Sequence, residues 1–228
     1  MTTPLFTQEF GGILTAKATS VTAAGTTLGG HLLAVGVEMY IGASGNITTL
    51  TDDGGNTYYQ IAAYSLSGHN GRLSLWYSFT TASNSTGLTA NLSTSMDAVM
   101  TVVDINPHGG TWGVLDPYIG VVADTSTPAS GTTAALTTAT DVAVGFIGQG
   151  ASNQVITGGG SGYTSCYQRN STATSALVSI LAAYKLTATQ AGEEYDGSMA
   201  AAKYAGAGVT TFTWTPPVSN EGQLAMVI

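Results

Sequence analysis

Apolar and polar positions alternate along residues 73–80. Leu73, Leu75, Tyr77 and Phe79 form one set, and serine, tryptophan and threonine residues lie between them. A period of two is typical of a β-strand with one apolar face. A second strand-like segment, residues 57–65, follows aspartate, glycine and asparagine residues at 52–56, which accept the backbone conformations of strand reversals. The two segments therefore predict a β-hairpin.

Two longer apolar segments predict buried strands. In residues 32–41 (LLAVGVEMYI), Gly36 indicates a bulge or a close approach of another segment. Residues 98–105 (AVMTVVDI) are apolar on both faces, which favours a central position in a sheet. Further strands are predicted at 13–21, 88–93, 119–123, 131–136, 141–147, 163–169, 176–186, 198–204, 210–214 and 223–228, with 88–93 at a sheet edge. Because no helical period is present, the sequence predicts an all-β fold, a two-sheet antiparallel β-sandwich of jelly-roll type.

The order of the strands repeats along the chain. The matching blocks are 32–37 with 141–146, 58–60 with 163–168, 73–79 with 177–186, and 98–103 with 224–228. This order predicts a single domain, residues 13–228, built from pseudo-repeated halves at 13–118 and 119–228. Residues 1–12 predict an extended N-terminal arm, in which Phe6 and Phe10 flank a polar centre and Gly11 and Gly12 end the segment.

The chain of 228 residues is poor in charge. Only 8% of its residues are charged, and 5 basic residues against 13 acidic ones give a net charge of -8. Nucleic-acid binding and membrane-surface binding both need clustered cations, so we expect neither. The longest apolar stretch, residues 176–184, is too short to cross a bilayer. The N-terminus lacks a signal-peptide pattern, and the single Cys166 permits no intrachain disulfide.

The irregular segment 106–118 (NPHGGTWGVLDPY) is the predicted contact site. A loop of this length at the end of a sandwich often carries function, and exposed aromatic residues supply binding energy. His108, Trp112 and Tyr118 are therefore the candidate loop-tip residues for contact with a glycan or a protein. The alternative is that Trp112 plugs the end of the sandwich.

Two acidic clusters are candidate cation sites. Asp52, Asp53 and Asn56 could bind calcium through their oxygens, although Asp-Gly-Gly-Asn is also ordinary turn chemistry. A second cluster, Glu193, Glu194 and Asp196, could hold a cation between subunits or form a solvated loop. No other cofactor is predicted.

Catalytic patterns are weak in this sequence. Glu38 and Asp104 lie in predicted strands and could form the paired carboxylates of a glycosidase, although charged strand residues more often face outward. No G-x-S-x-G elbow, zinc-ligand spacing or dinucleotide fingerprint is present. We therefore expect a protein that is not an enzyme.

Several of these blocks together resemble a known group of domains. The turn at 53–58, the strand containing Leu75, Trp76 and Tyr77, and the segments AVMTVVDI and DVAVGFIG are similar to a loose group of β-sandwich domains in tailed-phage structural proteins and bacterial extracellular proteins. The resemblance covers most of residues 32–228 and rests on turns and core strands. It implies a sandwich fold and a role in a virion or at a cell surface, and it implies no active site.

The sequence thus predicts a structural component of a tailed-phage virion: a capsid decoration, head-fibre or minor tail protein. It would act by contacts with copies of itself and with other virion proteins, with the arm lying across a neighbour and strands adding at residues 88–93 or at the C-terminus. The alternative is an extracellular or cell-surface module of bacteria that binds surface glycans.

Overall fold

The computed structural model describes residues 3–41, 45–65, 68–137, 141–150, 154–172, 177–188, 191–200 and 203–215. In this part of the chain all regular secondary structure is β-strand, and all strand pairs are antiparallel. The strands form two main sheets that pack face to face, which confirms the predicted all-β, two-sheet sandwich. The predicted last strand, residues 223–228, lies outside the described residues.

The first sheet is centred on one long strand. Its main strands are β1 (Leu5–Ile13), β3 (Leu32–Tyr40), β5 (Tyr59–Tyr64), β6 (Gly71–Phe79) and β7 (Leu88–Asn106). They lie in the order β1-β7-β3-β6-β5, and the second half of β7 pairs with β1 and β3. The first half of β7 pairs on its two sides with β2 (Ala18–Ala23) and β4 (Ile47–Asp52). These two short strands and the start of β7 cover the outer face of the sheet.

The second sheet follows after a tight turn at 107–110. Its strands are β8 (Thr111–Thr125), β9 (Val142–Gly150), β11 (Thr164–Ser165), β12 (Arg169–Asn170), β13 (Val178–Lys185) and β15 (Lys203–Thr215). They lie in the order β8-β15-β9-β13-β11, and β12 also pairs with β13. A small separate ribbon joins β10 (Ile156–Gly158) to β14 (Gly197–Met199).

The two sheets have the same connectivity. In the first sheet β7 lies between β1 and β3, and in the second sheet β15, the last described strand, lies between β8 and β9. The strands β7 and β15 therefore occupy equivalent positions. The strand order therefore repeats, but the strand equivalent to β7 is β15 and not residues 224–228, which the sequence matched to 98–103 and which lie outside the described residues. The crossing between the sheets is at the 107–110 turn, so the half boundary predicted near residue 119 falls inside β8.

Three apolar clusters form the core. The first lies between the inner strands and the β2–β4 layer, and the third covers the far side of the second sheet. The middle cluster joins the two sheets, with Leu75 and Val103 on one side and Phe146 and Ile180 on the other. Gly36 permits this contact, because a Cβ atom there would lie 2.5 Å from the Phe146 ring. The predicted close approach at Gly36 is confirmed.

The predicted N-terminal arm is instead an edge strand. Residues 5–13 are extended, but they pair with β7 along their whole length as β1, and Phe10 is buried in the first core cluster. Glu9 forms an ion pair with Arg169 of β12 at 2.5 Å, which ties this strand to the second sheet. The two glycines that suggested an end to the arm serve close packing, because a Cβ atom at Gly12 would collide with the Thr22 carbonyl.

Other segment predictions also need correction. The predicted strand at 13–21 is divided between β1 and β2, and residues 131–136 are not a strand. Residues 88–93 are not a sheet edge, because β2 and β4 pair with both sides of this segment. Only residues 107–110 of the predicted irregular segment form a turn, and β8 begins at Thr111. Proline and glycine in that segment suggested a loop, but an edge strand tolerates both.

Candidate interaction surface

The turn between β7 and β8 carries the first predicted contact residue. The Gly110 N–H donates to the Pro107 carbonyl at 3.3 Å, which closes the turn. His108 has a φ of 54°, in the left-handed region, and its N–H donates to Asn106 Oδ1 at 2.6 Å. Its exposed imidazole lies 3.3 Å from the Thr3 carbonyl oxygen. His108 therefore ties the turn to the start of the chain while remaining accessible to solvent.

Trp112 is not at a loop tip. It lies near the start of β8 and its indole stacks on Phe79 of the first sheet, with ring centroids 6.0 Å apart and an interplanar angle of 11°. The side chain is partly buried against the middle core cluster. This position corresponds to the alternative weighed from the sequence, in which Trp112 plugs the sandwich.

The Phe79–Trp112 contact is one end of an aromatic row that the sequence did not reveal. Tyr59 lies 5.5 Å from Tyr77, and Tyr77 lies 5.3 Å from Phe79 in an edge-to-face arrangement. Tyr59 is 54% exposed, so the row runs from solvent into the gap between the sheets. The aromatic row (Tyr59, Tyr77, Phe79 and Trp112) depends on the β5–β6 register, which places Tyr59 directly opposite Tyr77.

Tyr118 lies further along β8, on the edge of the second sheet. Tyr118 is 48% exposed. Its neighbour Tyr64, on β5, packs against Gly120 so closely that a Cβ atom at Gly120 would collide with the Tyr64 ring. Burial and the nearby Tyr118 raise the pKa of Tyr64 to about 12. Val121 is also 44% exposed. The open side of β8 therefore presents aromatic and aliphatic surface.

The turn at 52–56 uses its oxygens for hydrogen bonds within the chain. Asp52 accepts from the Asn56 side chain at 2.8 Å and from the Tyr58 hydroxyl at 2.8 Å, and Asp53 accepts from Ser85. Asn56 Oδ1 accepts from two backbone N–H groups of the 81–82 segment, at 2.8 and 3.0 Å. These contacts fasten the turn to a second loop. In the described residues no group of three or more histidine, cysteine or acidic side chains is placed to hold a metal ion.

Glu38 and Asp104 cannot act as paired carboxylates. Both are fully buried, but the strand register places Leu33 opposite Asp104 and Val99 opposite Glu38. The two acids are therefore at positions of opposite parity and point to opposite faces of the sheet. Period-two alternation therefore separates the two groups, and the candidate glycosidase pair raised from the sequence does not form.

The two buried acids have different surroundings. Asp104 Oδ1 lies 2.7 Å from His31 Nδ1, and its other oxygen accepts from the Gln8 amide at 3.0 Å. Glu38 faces the second sheet, where its carboxyl group occupies the space that a side chain at Gly148 would need. Burial raises the pKa of Glu38 well above its ordinary value, and the backbone N–H of Arg72 offsets only part of this effect.

The second acidic cluster lines a pocket of about 280 Å³, together with Gly160, Ser161, Lys185 and Gly192. Glu193 is buried and its carboxylate lies 2.9 Å from Lys185 Nζ, so its charge is neutralised within the chain. Glu194 and Asp196 are exposed, and Glu194 accepts from the Thr132 hydroxyl at 3.2 Å. The cluster is thus one buried ion pair beside two solvated acids.

These features define an all-β sandwich with exposed aromatic and apolar groups on the edge strands β1, β5 and β8 and in loops. No protein-family model, curated protein or solved structure matches the chain. No helix in the described residues has the length and apolar character needed to cross a membrane.

Proposed function

We propose that this protein is a non-enzymatic structural component of a tailed-phage particle, a capsid decoration, head-fibre or minor tail protein. It acts by contacts with copies of itself and with other virion proteins. The observation that carries the proposal is a surface with few charges and exposed apolar side chains on sheet edges, such as Val121 and Tyr118. A free monomer usually keeps a charged surface for solubility, so a surface with few charges favours coverage by partners.

The resemblance of the sequence to phage and bacterial sandwich domains supports a role in a virion or at a cell surface. The arrangement of the acids supports a role without catalysis, since Glu38 and Asp104 are buried on opposite faces. The polar side chains of the 52–56 turn are used for internal hydrogen bonds, in the network of Asp52, Asn56 and Tyr58.

The fold changes the assembly mechanism. Residues 5–13 pair within their own sheet, so they are not a free arm that reaches a neighbour. The proposed contact between subunits is instead on the outer side of β8, which pairs with no described strand. Strand addition at such an edge provides main-chain hydrogen bonds between subunits.

Immunogold electron microscopy on particles from the source culture tests the proposal. Label on phage heads or tails is the expected result, and its position chooses between decoration and tail. Label on cell envelopes with bare particles would overturn the proposal and favour the surface-module alternative.

A carbohydrate-binding role is the second candidate, and the aromatic row favours it. Aromatic faces that reach solvent can stack on sugar rings, and Tyr59 is the most exposed member. On this reading, Tyr59→Ala abolishes saturable binding on a glycan array. Tyr167→Ala is the matched control, because Tyr167 is 69% exposed and lies outside the row. Binding that survives Tyr59→Ala, or no binding by the wild type, would exclude this role for the row.

A further inference from the structure

The outer side of β8 is a long open sheet edge. The strand has 15 residues and pairs on one side with β15 over most of its length. Within the described ranges no strand pairs with its other side. An open edge presents unpaired N–H and C=O groups and is a template for another strand.

The second half of this edge lacks the usual protection. Proline, lysine and bulges normally prevent edges from pairing. In β8 the proline is Pro117, and both register shifts against β15 occur before Ile119. From Ile119 to Thr125 the ladder is regular, and residues 120–123 (GVVA) are small or aliphatic. Asp124 is the charged residue in this regular segment.

We propose that residues 118–124 of β8 pair with the same residues of a second copy of the chain, around a two-fold axis at Val121. Every described strand pair is antiparallel, and a two-fold axis perpendicular to the strands makes two identical strands antiparallel. The pairing joins the second sheets of two chains into one continuous sheet. This inference rests on the proposed assembly function and names one contact of it.

The charges on β8 select the register. The strand carries Asp116 and Asp124. Asp116 is buried and accepts from the Thr137 N–H and hydroxyl, at 2.9 Å each, so Asp124 is the exposed charge of the strand. An axis at Asp124 would place two carboxylates directly opposite each other, and directly opposed like charges are destabilising. An axis at Val121 instead places Asp124 opposite Tyr118 of the second copy. Both side chains are exposed, and a phenol O–H can donate to a carboxylate.

The expected dimer is weak. A single pair of strands is smaller than a standard interface, which buries about 1,600 Å². Tyr118 and Val121, 48% and 44% exposed, contribute the apolar contacts beside the main-chain hydrogen bonds. The monomer and the dimer should therefore exchange and depend on protein concentration.

Sedimentation velocity of the full chain over a range of concentrations gives the first test. The wild type should shift from monomer to dimer as concentration rises, and Val121→Lys should remain a monomer because two ammonium groups would meet at the axis. Tyr167→Lys is the matched control and should dimerise like the wild type. A wild type that stays monomeric up to its solubility limit, or a Val121→Lys variant that dimerises normally, would overturn the proposal.

Disulfide cross-linking tests the register independently of the lysine variant. In a Cys166→Ser background, Val121→Cys should form a covalent dimer on mild oxidation, since residues directly opposite across the axis approach each other closely. Asp124→Cys should not, because the register places it opposite Tyr118. Cross-linking through Asp124→Cys but not through Val121→Cys would overturn the register.

These results separate the two proposals. A monomeric protein that still labels phage particles would refute the β8 pairing and leave the virion role intact. A β8-linked dimer that never labels particles would refute the virion role and leave the pairing intact.

Discussion

Glu38 makes the stability of this protein depend on pH in an unusual direction. Its carboxyl group is fully buried between the two sheets, and its oxygens have no hydrogen bond of normal geometry. Burial raises the pKa of Glu38 well above the ordinary value, despite the partial compensation from the Arg72 backbone. The folded protein therefore keeps this group protonated at pH values where the unfolded chain has released the proton.

The sign follows from proton linkage. A raised pKa in the folded state means that the stability contributed by this group is complete below the unfolded pKa and is lost as pH rises toward the folded pKa. Between the unfolded pKa and the folded pKa of Glu38, the free energy of unfolding falls by about 1.4 kcal/mol per pH unit. Glu38→Gln keeps the shape of the side chain and removes the proton equilibrium, so its stability should not show this slope.

Urea unfolding at several pH values, followed by tryptophan fluorescence, measures the effect. We expect the wild type to lose stability relative to Glu38→Gln as pH rises above the ordinary pKa of a glutamate. Glu194→Gln is the control, because Glu194 is exposed and its variant should keep the wild-type slope. Parallel slopes for wild type and Glu38→Gln would refute the reasoning.

Three further predictions follow from the packing. Deleting residues 1–12 removes nearly all of β1 and the Phe10 core contact, so the free energy of unfolding measured in urea should fall by about 3 kcal/mol or more. An unchanged urea midpoint would contradict the edge-strand role of these residues. Asn56→Ala should lower the free energy of unfolding by about 3 kcal/mol, because backbone N–H groups of the 81–82 segment lose their acceptor. Since the turn oxygens are already used in this way, added calcium should not shift the melting temperature of the wild type. Burial raises the pKa of Cys166 to about 12, so a thiol reagent at pH 8 should label the native chain far more slowly than the urea-unfolded chain.

The inner strands could be predicted from sequence because their signal is local. The alternation at Leu73 and Leu75 gave β6, and apolar residues on both faces placed the second half of β7 at the centre of a sheet. The edges could not be predicted, because an edge depends on which distant segment pairs there. Pro117 shows the ambiguity, since a proline indicates a loop in sequence and is also acceptable on the open side of β8.

The candidate site was less accessible to sequence reasoning than the fold. Trp112 could be identified as a notable aromatic residue, but its partner Phe79 is on another sheet. Tyr59 joins Tyr77 only through a register that contains a shift between Gln60 and Ala62. The opposite orientations of Glu38 and Asp104 likewise follow from the β3–β7 register and not from either segment alone.

The equivalent positions of β7 and β15 have a consequence for synthesis on the ribosome. In each half, the last strand among the described residues lies between two strands that were made earlier. Until residues 203–215 emerge, the edges of β8 and β9 that later pair with β15 remain unpaired. Unpaired edges of this kind promote aggregation during folding. Nascent chains stalled before this point should therefore depend on chaperones, whereas chains that include β15 can complete the second sheet.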